Sequence, residues 1–172
     1  EQRYLYVSDV GKHEVRRYKL GEKNGTRVAG GNGEGNGRSQ LNVPTYLFVD
    51  RQQNVYVSDR DNHRVMKWNK GAKEGIVVAG GHGQGNALTQ LSSLQGIFVD
   101  TLGTLYVADS LNDLVIRWTQ GDKKQDTVIV GGNVRGAGAN QFNVPIGLSF
   151  DRQGNLYVVD WNNNRVQRFY IE

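Results

Sequence analysis

The chain contains no cysteine, only two prolines and one methionine among its 172 residues. It therefore has no disulfide and no cysteine-based zinc or thiolate site. No apolar stretch approaches the roughly 20 residues that a membrane-spanning helix needs, so we expect no membrane insertion. The sequence shows no signal-peptide pattern, although processing would have removed a signal peptide from a mature chain. Apolar residues also lack a sustained helical period, so we expect a helix content close to zero.

One short phrase occurs in four copies, and it dominates the sequence. The copies are Leu5-Tyr-Val-Ser-Asp9, Val55-Tyr-Val-Ser-Asp59, Leu105-Tyr-Val-Ala-Asp109 and Leu156-Tyr-Val-Val-Asp160. Their aspartates are 50, 50 and 51 residues apart. Such a period with strand-like content is typical of propeller blades, which are small sheets that need neighbours to bury their faces. The chain is therefore predicted to be a single all-β propeller or propeller segment, with repeats at 5–54, 55–104, 105–155 and a partial one at 156–172.

Each repeat contains short β-branched and aromatic runs bounded by turn residues, as strands do. The shared phrase is the first run of each repeat. Second runs are predicted at 15–18, 65–68, 115–118 and 166–169, third runs at 26–29, 76–79 and 127–130, and fourth runs at 46–50, 96–100 and 147–151. The extra residue of the third repeat falls near Gln125. Glycine-rich passages that follow the third runs, such as 30–35, are expected to be blade-to-blade crossovers with positive φ angles rather than phosphate-binding loops.

The residues after the shared aspartate resemble the NHL repeat, which is named for Asn, His and Leu positions in this stretch. Asp59 to Trp68, which reads Asp-Arg-Asp-Asn-His-Arg-Val-Met-Lys-Trp, is the closest copy. The last copy keeps Arg165 and Val166, whereas the first and third have Glu14 and Leu114 in place of the arginine. The resemblance implies four-stranded blades that begin with an innermost strand of the pattern Gly-x-x-x-Asp.

When the repeats are aligned with the strand order of the family's blade, two four-stranded blades are flanked by two incomplete ones, with about fourteen strands in all. The first blade lacks its innermost strand and the last lacks its outermost strand. Three arrangements remain open: a piece of a larger ring, closure as four thin blades, or an open arc that assembles with another copy. The absence of an initial methionine supports the first arrangement. Sheet faces and edges exposed at the ends support the third.

The repeats favour a non-catalytic interaction scaffold that binds a protein partner, or another copy of itself, through its rims and open blade ends. Loops carry binding residues most often. Trp161 stands out because Val10, Arg60 and Ser110 occupy the equivalent positions; an exposed tryptophan suits a protein or glycan anchor, or a cap on the last blade. The candidate rim residues are Asp61, Asn62, His82, Arg135, Trp161 and Asn162.

Charged residues that recur with the repeat are predicted to be structural. Each shared aspartate is expected to accept hydrogen bonds from turn backbone or from an arginine, tying blade to blade, rather than to hold a cation. These residues are Asp9, Asp59, Asp109 and Asp160, with Arg64 and Arg165. His13 and His63 share one repeat position, which favours a turn contact over a metal site. We expect no metal, no cofactor and no catalysis, although the resemblance implies a metal-dependent lyase or hydrolase as one alternative.

A net charge of +4 and a sequence pI of about 9.4 raise the question of an acidic partner. The basic residues are spread through every repeat, so a solvated ring of charge is favoured over a nucleic-acid site. The resemblance implies single-stranded RNA binding on a propeller face as another alternative. Asn24-Gly25-Thr26 is an N-glycosylation sequon as well as a common turn sequence. It is the one feature that favours an extracellular location; the compartment is otherwise undetermined.

Overall fold

The computed structural model describes residues 3–119 and 126–171, and all of their regular structure apart from two short 3-10 turns is β-strand. The turns are Arg60–Asn62 and Trp161–Asn163. In chain order the strands are β1 (Tyr4–Asp9), β2 (Glu14–Lys19), β3 (Thr26–Gly30), β4 (Pro44–Val49), β5 (Val55–Asp59), β6 (Arg64–Trp68), β7 (Ile76–Gly80), β8 (Leu94–Val99), β9 (Leu105–Asp109), β10 (Leu114–Trp118), β11 (Asp126–Gly131), β12 (Pro145–Phe150), β13 (Asn155–Asp160) and β14 (Arg165–Tyr170). The all-β prediction is confirmed. No helix in the described ranges is long and apolar enough to cross a membrane.

The strands form four open antiparallel sheets in which chain neighbours are sheet neighbours. The first sheet is β1-β2-β3, the second β4-β5-β6-β7, the third β8-β9-β10-β11 and the last β12-β13-β14. Two four-stranded sheets therefore lie in sequence between two three-stranded ones, as the repeat register predicts. Every residue of β5 and β9 is buried, which is the pattern that near-continuous apolar runs indicate.

The strands β4, β8 and β12, which open the second, third and last sheets, each begin two residues earlier than predicted and end one residue earlier. Pro44 pairs with Asp59 and Pro145 with Asp160, and a bulge follows each pair, so the added residues lie on an irregular part of the ladder. At the other end Asp50 leaves the strand, because its carboxylate accepts hydrogen bonds from the backbone and side-chain nitrogens of Asn54. The extra residue near Gln125 lies outside the described residues.

The chain divides into two compact units, one ending at Ala79 and the other beginning at Gly80. In the first unit the core lies between the first and second sheets. Because successive side chains of a strand point to opposite faces, every second residue points toward the facing sheet. The buried cluster consists of Val15, Ala29, Leu41, Val55, Val57, Met66 and Trp68.

The second unit repeats this core with equivalent residues. Val115 and Val130 of the third sheet take the places of Val15 and Ala29, and Phe142 takes that of Leu41. Leu156 and Val158 of the last sheet complete the cluster, with Phe169 packed against it. Each unit thus contains one junction between two sheets, built from the same repeat positions.

Candidate functional site

The shared aspartate of the second repeat organises the loop that joins the first two sheets. Asp59 accepts hydrogen bonds from the backbone nitrogen of Asn42 at 2.6 Å and from Asn62 Nδ2 at 2.9 Å. Arg64 Nε donates at 2.6 Å to Asp59 Oδ2, the same oxygen that accepts from Asn62. The Arg64 guanidinium also donates to the carbonyl oxygens of residues 36, 37 and 40. One buried ion pair therefore fixes the crossover loop on the second sheet.

The last repeat contains the same arrangement. Asp160 accepts from the backbone nitrogen of Asn143 at 2.8 Å and from Arg165 Nε at 2.8 Å. Arg165 donates onward to the carbonyl oxygens of residues 137, 138 and 141. The side chain of Arg165 is 30% exposed, against 8% for Arg64, so this copy is the more hydrated of the two.

The third repeat lacks the arginine. Asp109 is fully buried and accepts from the backbone nitrogen of Ser92 at 2.9 Å and from Asn112 Nδ2 at 2.8 Å, but Leu114 stands at the arginine position. Burial without a neighbouring cation raises the pKa of Asp109 to about 7. Burial also raises the pKa of Asp59, where hydrogen bonds from Asn42, Asn62 and Arg64 oppose it.

The first repeat differs because its aspartate lies near the surface. Asp9 accepts from the backbone nitrogen of Lys12 at 3.0 Å, and its side chain is 37% exposed. Glu14 stands at the arginine position and accepts from Arg16 at 2.9 Å.

In two repeats, the residue four positions after the shared aspartate makes a second connection between sheets. All four residues at this position adopt a left-handed backbone, with φ between 49° and 55°. His13 Nδ1 accepts from the backbone nitrogen of Val43 at 3.3 Å, and Asp113 accepts from that of Val144 at 2.9 Å. Asn164 occupies this position in the last repeat and is exposed.

The predicted rim residues fall into different environments. Asn62 donates to Gly35 O and to Asp59, so its amide helps to hold the crossover loop in place and points away from the rim. Its equivalents Asn112 and Asn163 donate in the same way, and the recurrence of asparagine three residues after the aspartate is the sequence signal for this role.

The remaining rim candidates are at least partly exposed. Asp61 is paired with Arg60 at 2.7 Å, and Arg135 with Asp113 at 2.7 Å. His82 is exposed, and its carbonyl accepts from Gln90. The sequon residue Asn24 is likewise exposed, in the loop between β2 and β3. Within the described ranges no three His, Asp or Glu side chains form a group that could hold a metal ion.

Trp161 is exposed and its backbone is held firmly. Trp161 is 59% exposed, whereas Trp68 and Trp118 are buried. The Trp161 N–H donates to Val144 O at 3.3 Å, and its carbonyl accepts from the Asn164 N–H at 3.0 Å. The next residue, Asn162, donates to both the backbone and side-chain oxygens of Asn143. The indole is therefore presented to solvent on a fixed turn.

Apolar residues that the sequence reasoning missed lie beside it on the last sheet. Tyr157 pairs with Arg168, and Val159 with Val166, so these side chains share one face with Tyr170. We call these five residues the C-terminal face. Val166 is 61% exposed, whereas its equivalents Val15, Val65 and Val115 are fully buried. A sequence signal existed: Val159 replaces Ser8, Ser58 and Ala108, and Tyr170 replaces Lys19, Asn69 and Thr119.

Part of the chain matches a known family. Residues 142–169 match the family model described as NHL repeat. That segment holds the network around Asp160 and most of the C-terminal face. No curated protein matches the chain significantly.

Solved structures match almost the whole chain at low sequence identity. A protein of unknown function from Bacteroides thetaiotaomicron has a TM-score of 0.76 at 18% identity over 96% of this chain and 44% of its own. An auxiliary nutrient binding protein from the same organism has a TM-score of 0.73 at 15% identity, again over 96% and 44%. A streptogramin B lyase has a TM-score of 0.58 at 10% identity over 98% and 51%. At these identities the likeness shows the fold alone, which is propeller-like, and the chain spans less than half the length of the first two.

Proposed function

We propose that this chain, which carries an NHL repeat at residues 142–169, is a non-catalytic binding scaffold whose binding surface is the C-terminal face together with Trp161. The observation that carries the proposal is that Trp161, Val159, Val166 and Tyr170 are all exposed on the last described sheet and the turn within it. Exposed apolar groups gathered in one place mark interaction sites, and tryptophan and tyrosine dominate such sites energetically. The name of the nutrient-binding structure supports a binding role for the fold.

The charged groups support a scaffold rather than a catalyst. The buried carboxylates Asp59 and Asp160 are committed to arginines and to crossover backbone, and Asp109 to Ser92 and Asn112. An active site needs a titratable group within reach of a substrate. Asp109, whose pKa burial raises to about 7, is fully buried. We therefore infer that the raised pKa of Asp109 is a consequence of its structural role.

The same reasoning disfavours a nucleic-acid partner. Several cations already have an acidic partner: Arg16 pairs with Glu14, Arg60 with Asp61 and Arg135 with Asp113. The carboxylates offset the positive charge of these three arginines, so the pairs contribute little net charge toward phosphates.

The test uses wild-type chain and Trp161→Ala, with Leu102→Ala as the matched control, since Leu102 is 89% exposed in the turn between β8 and β9. Each is measured for self-association, for binding on an array of defined glycans, and for filter binding of single-stranded RNA across a salt series. We expect Trp161→Ala to weaken one of the first two at least tenfold and Leu102→Ala to leave it unchanged. Salt-dependent RNA binding that survives Trp161→Ala, or no difference between the two variants in any assay, would contradict the proposal.

A further inference from the structure

The tripeptide Asn24-Gly25-Thr26 is the only Asn-x-Ser/Thr sequence in the chain, and the structure separates its two interpretations. An Asn-Gly pair is common in tight turns because both residues tolerate a positive φ. The same three residues are an acceptor sequence for N-linked glycosylation. The turn interpretation requires a particular backbone conformation at Asn24 and Gly25, so the backbone tests it.

Other residues form the turn between β2 and β3. The Glu22 N–H donates to the carbonyl oxygen of Lys19 at 3.0 Å, and Gly21 adopts a φ of 88° within that turn. Neither Asn24 nor Gly25 has a positive φ. The Asn-Gly pair therefore follows the turn instead of forming it, and its presence needs another explanation.

Packing accounts for the glycine of this tripeptide. A Cβ at Gly25 would lie 2.6 Å from the ring of Tyr18, so a side chain there would displace the ring. The Gly25 carbonyl also accepts a hydrogen bond from Arg16 at 2.6 Å. Gly25 is thus in contact with two side chains of β2, whereas Asn24 and Thr26 on either side of it are exposed.

The second repeat shows that the fold needs neither the asparagine nor the threonine. Glu74, Gly75 and Ile76 occupy the equivalent positions. Gly75 has the same reason to be a glycine, since a Cβ there would lie 2.9 Å from the ring of Trp68. Its neighbours, however, are an acidic and an apolar residue. The shared fold therefore leaves both flanking positions free for another role.

We propose that Asn24 is a site of N-linked glycosylation. The co-reactant is an oligosaccharide carried on a lipid pyrophosphate, which is transferred to the sequence Asn-x-Ser/Thr. Asn24 Nδ2 forms a bond to the anomeric carbon of the oligosaccharide, the bond from that carbon to the pyrophosphate oxygen breaks, and the amide releases one proton. Nothing is oxidised or reduced. The site shares no residue with the proposed binding surface, so each can fail without the other.

The surroundings of Asn24 accommodate a bulky hydrophilic group. Every residue from 19 to 24 is exposed, so an oligosaccharide at this position displaces no core side chain. The nearby ion pair of Lys19 with Glu22 is also about half exposed on both sides. Thr26 is exposed on β3, where it pairs with Arg17. The finished fold is thus compatible with a modification at Asn24.

The test follows the mass of the full chain after secretion from a eukaryotic host, with a cleavable signal peptide placed before it. Wild type is compared with Asn24→Gln and with Thr26→Val, which removes the hydroxyl but keeps a β-branched residue on the strand. The matched control moves the acceptor sequence to the second repeat by combining Asn24→Gln with Glu74→Asn and Ile76→Thr. Each sample is measured before and after peptide:N-glycosidase treatment, and circular dichroism verifies that each variant is folded.

We expect wild type to show a mass increase over 19.2 kDa that the glycosidase removes, leaving an aspartate at position 24 in peptide mass spectra. Asn24→Gln and Thr26→Val should lose the increase completely and fold as wild type does, because both positions are exposed. The chain with the acceptor sequence in the second repeat should regain it. An unmodified wild type overturns the proposal, and so does a glycosidase-sensitive increase that persists in Asn24→Gln.

Discussion

Arg64 Nε lies 2.6 Å from Asp59 Oδ2 in the interior of the first unit, with both side chains less than a tenth exposed. The pair holds a crossover loop through three further hydrogen bonds from the guanidinium to carbonyl oxygens. The chain contains its own comparisons, because Arg165 makes the same contacts at a wetter site and Leu114 replaces the arginine altogether.

Replacing Arg64 with leucine should strongly destabilise the first unit. The substitution leaves the Asp59 carboxylate buried without its cation and three loop carbonyls without their donor, a combination that costs roughly 3–5 kcal/mol. Urea denaturation should show the loss. Arg165→Leu is the internal control, and its cost should be smaller because the side chain of Arg165 is 30% exposed, against 8% for Arg64. Equal costs at the two sites would argue against burial as the cause.

Asp109 should make stability depend on pH in the direction opposite to that of an ordinary ion-paired carboxylate. Its pKa is about 7 in the folded chain against 3.8 ordinarily, so between these values the folded state binds the extra proton. The contribution of Asp109 therefore falls as pH rises from about 4 to about 7 and is flat above that, with a total of about 4 kcal/mol at 1.36 kcal/mol per tenfold change in proton affinity.

Leu114→Arg should remove most of this dependence, because it restores the cation that Asp59 and Asp160 have. The difference in unfolding free energy between variant and wild type should be small near pH 4 and should grow in favour of the variant toward pH 8. Leu114→Gln supplies similar length without charge and should keep the wild-type profile. Parallel profiles for wild type and Leu114→Arg would contradict the assignment.

Gly75 should not tolerate a side chain. A Cβ there would lie 2.9 Å from the indole of Trp68, which is buried in the first core. Overpacking of this kind costs typically 1–3 kcal/mol, so Gly75→Ala should lower the urea midpoint. Gly25→Ala meets the ring of Tyr18 at 2.6 Å, but that ring is only half-buried and can move, so its effect should be smaller. A neutral Gly75→Ala would show that Trp68 has room to shift.

Much of the fold can be predicted from the sequence because each repeat contains the same pattern of strand-forming and turn-forming residues. Strand positions came from the shared phrase and its spacing, and the sheet order followed from the register. The early start of β4 could not be predicted from the sequence. The preceding residue, Val43, adopts a φ of 54°, which β-branched residues avoid, and a tertiary hydrogen bond from its N–H to His13 helps to hold it there.

The site was predictable only in part. Trp161 could be singled out because it departs from its repeat equivalents. Asn62 was placed among the rim residues because loop position alone does not show where an amide points, and the structure turns it inward to Asp59. Exposure of Val166 could not be read from its identity, since the same residue is fully buried at Val15, Val65 and Val115.

The most direct test of the claim that the C-terminal face and Trp161 form the binding surface is acrylamide quenching of tryptophan emission as chain concentration rises. Trp161 is the exposed tryptophan of the three, so it supplies the accessible signal. The account predicts that the accessible fraction falls as wild type associates between about 1 and 100 µM, and that it stays constant in Val166→Lys. Association that leaves Trp161 fully accessible would contradict it, and so would a monomeric chain whose glycan binding is unchanged by Trp161→Ala.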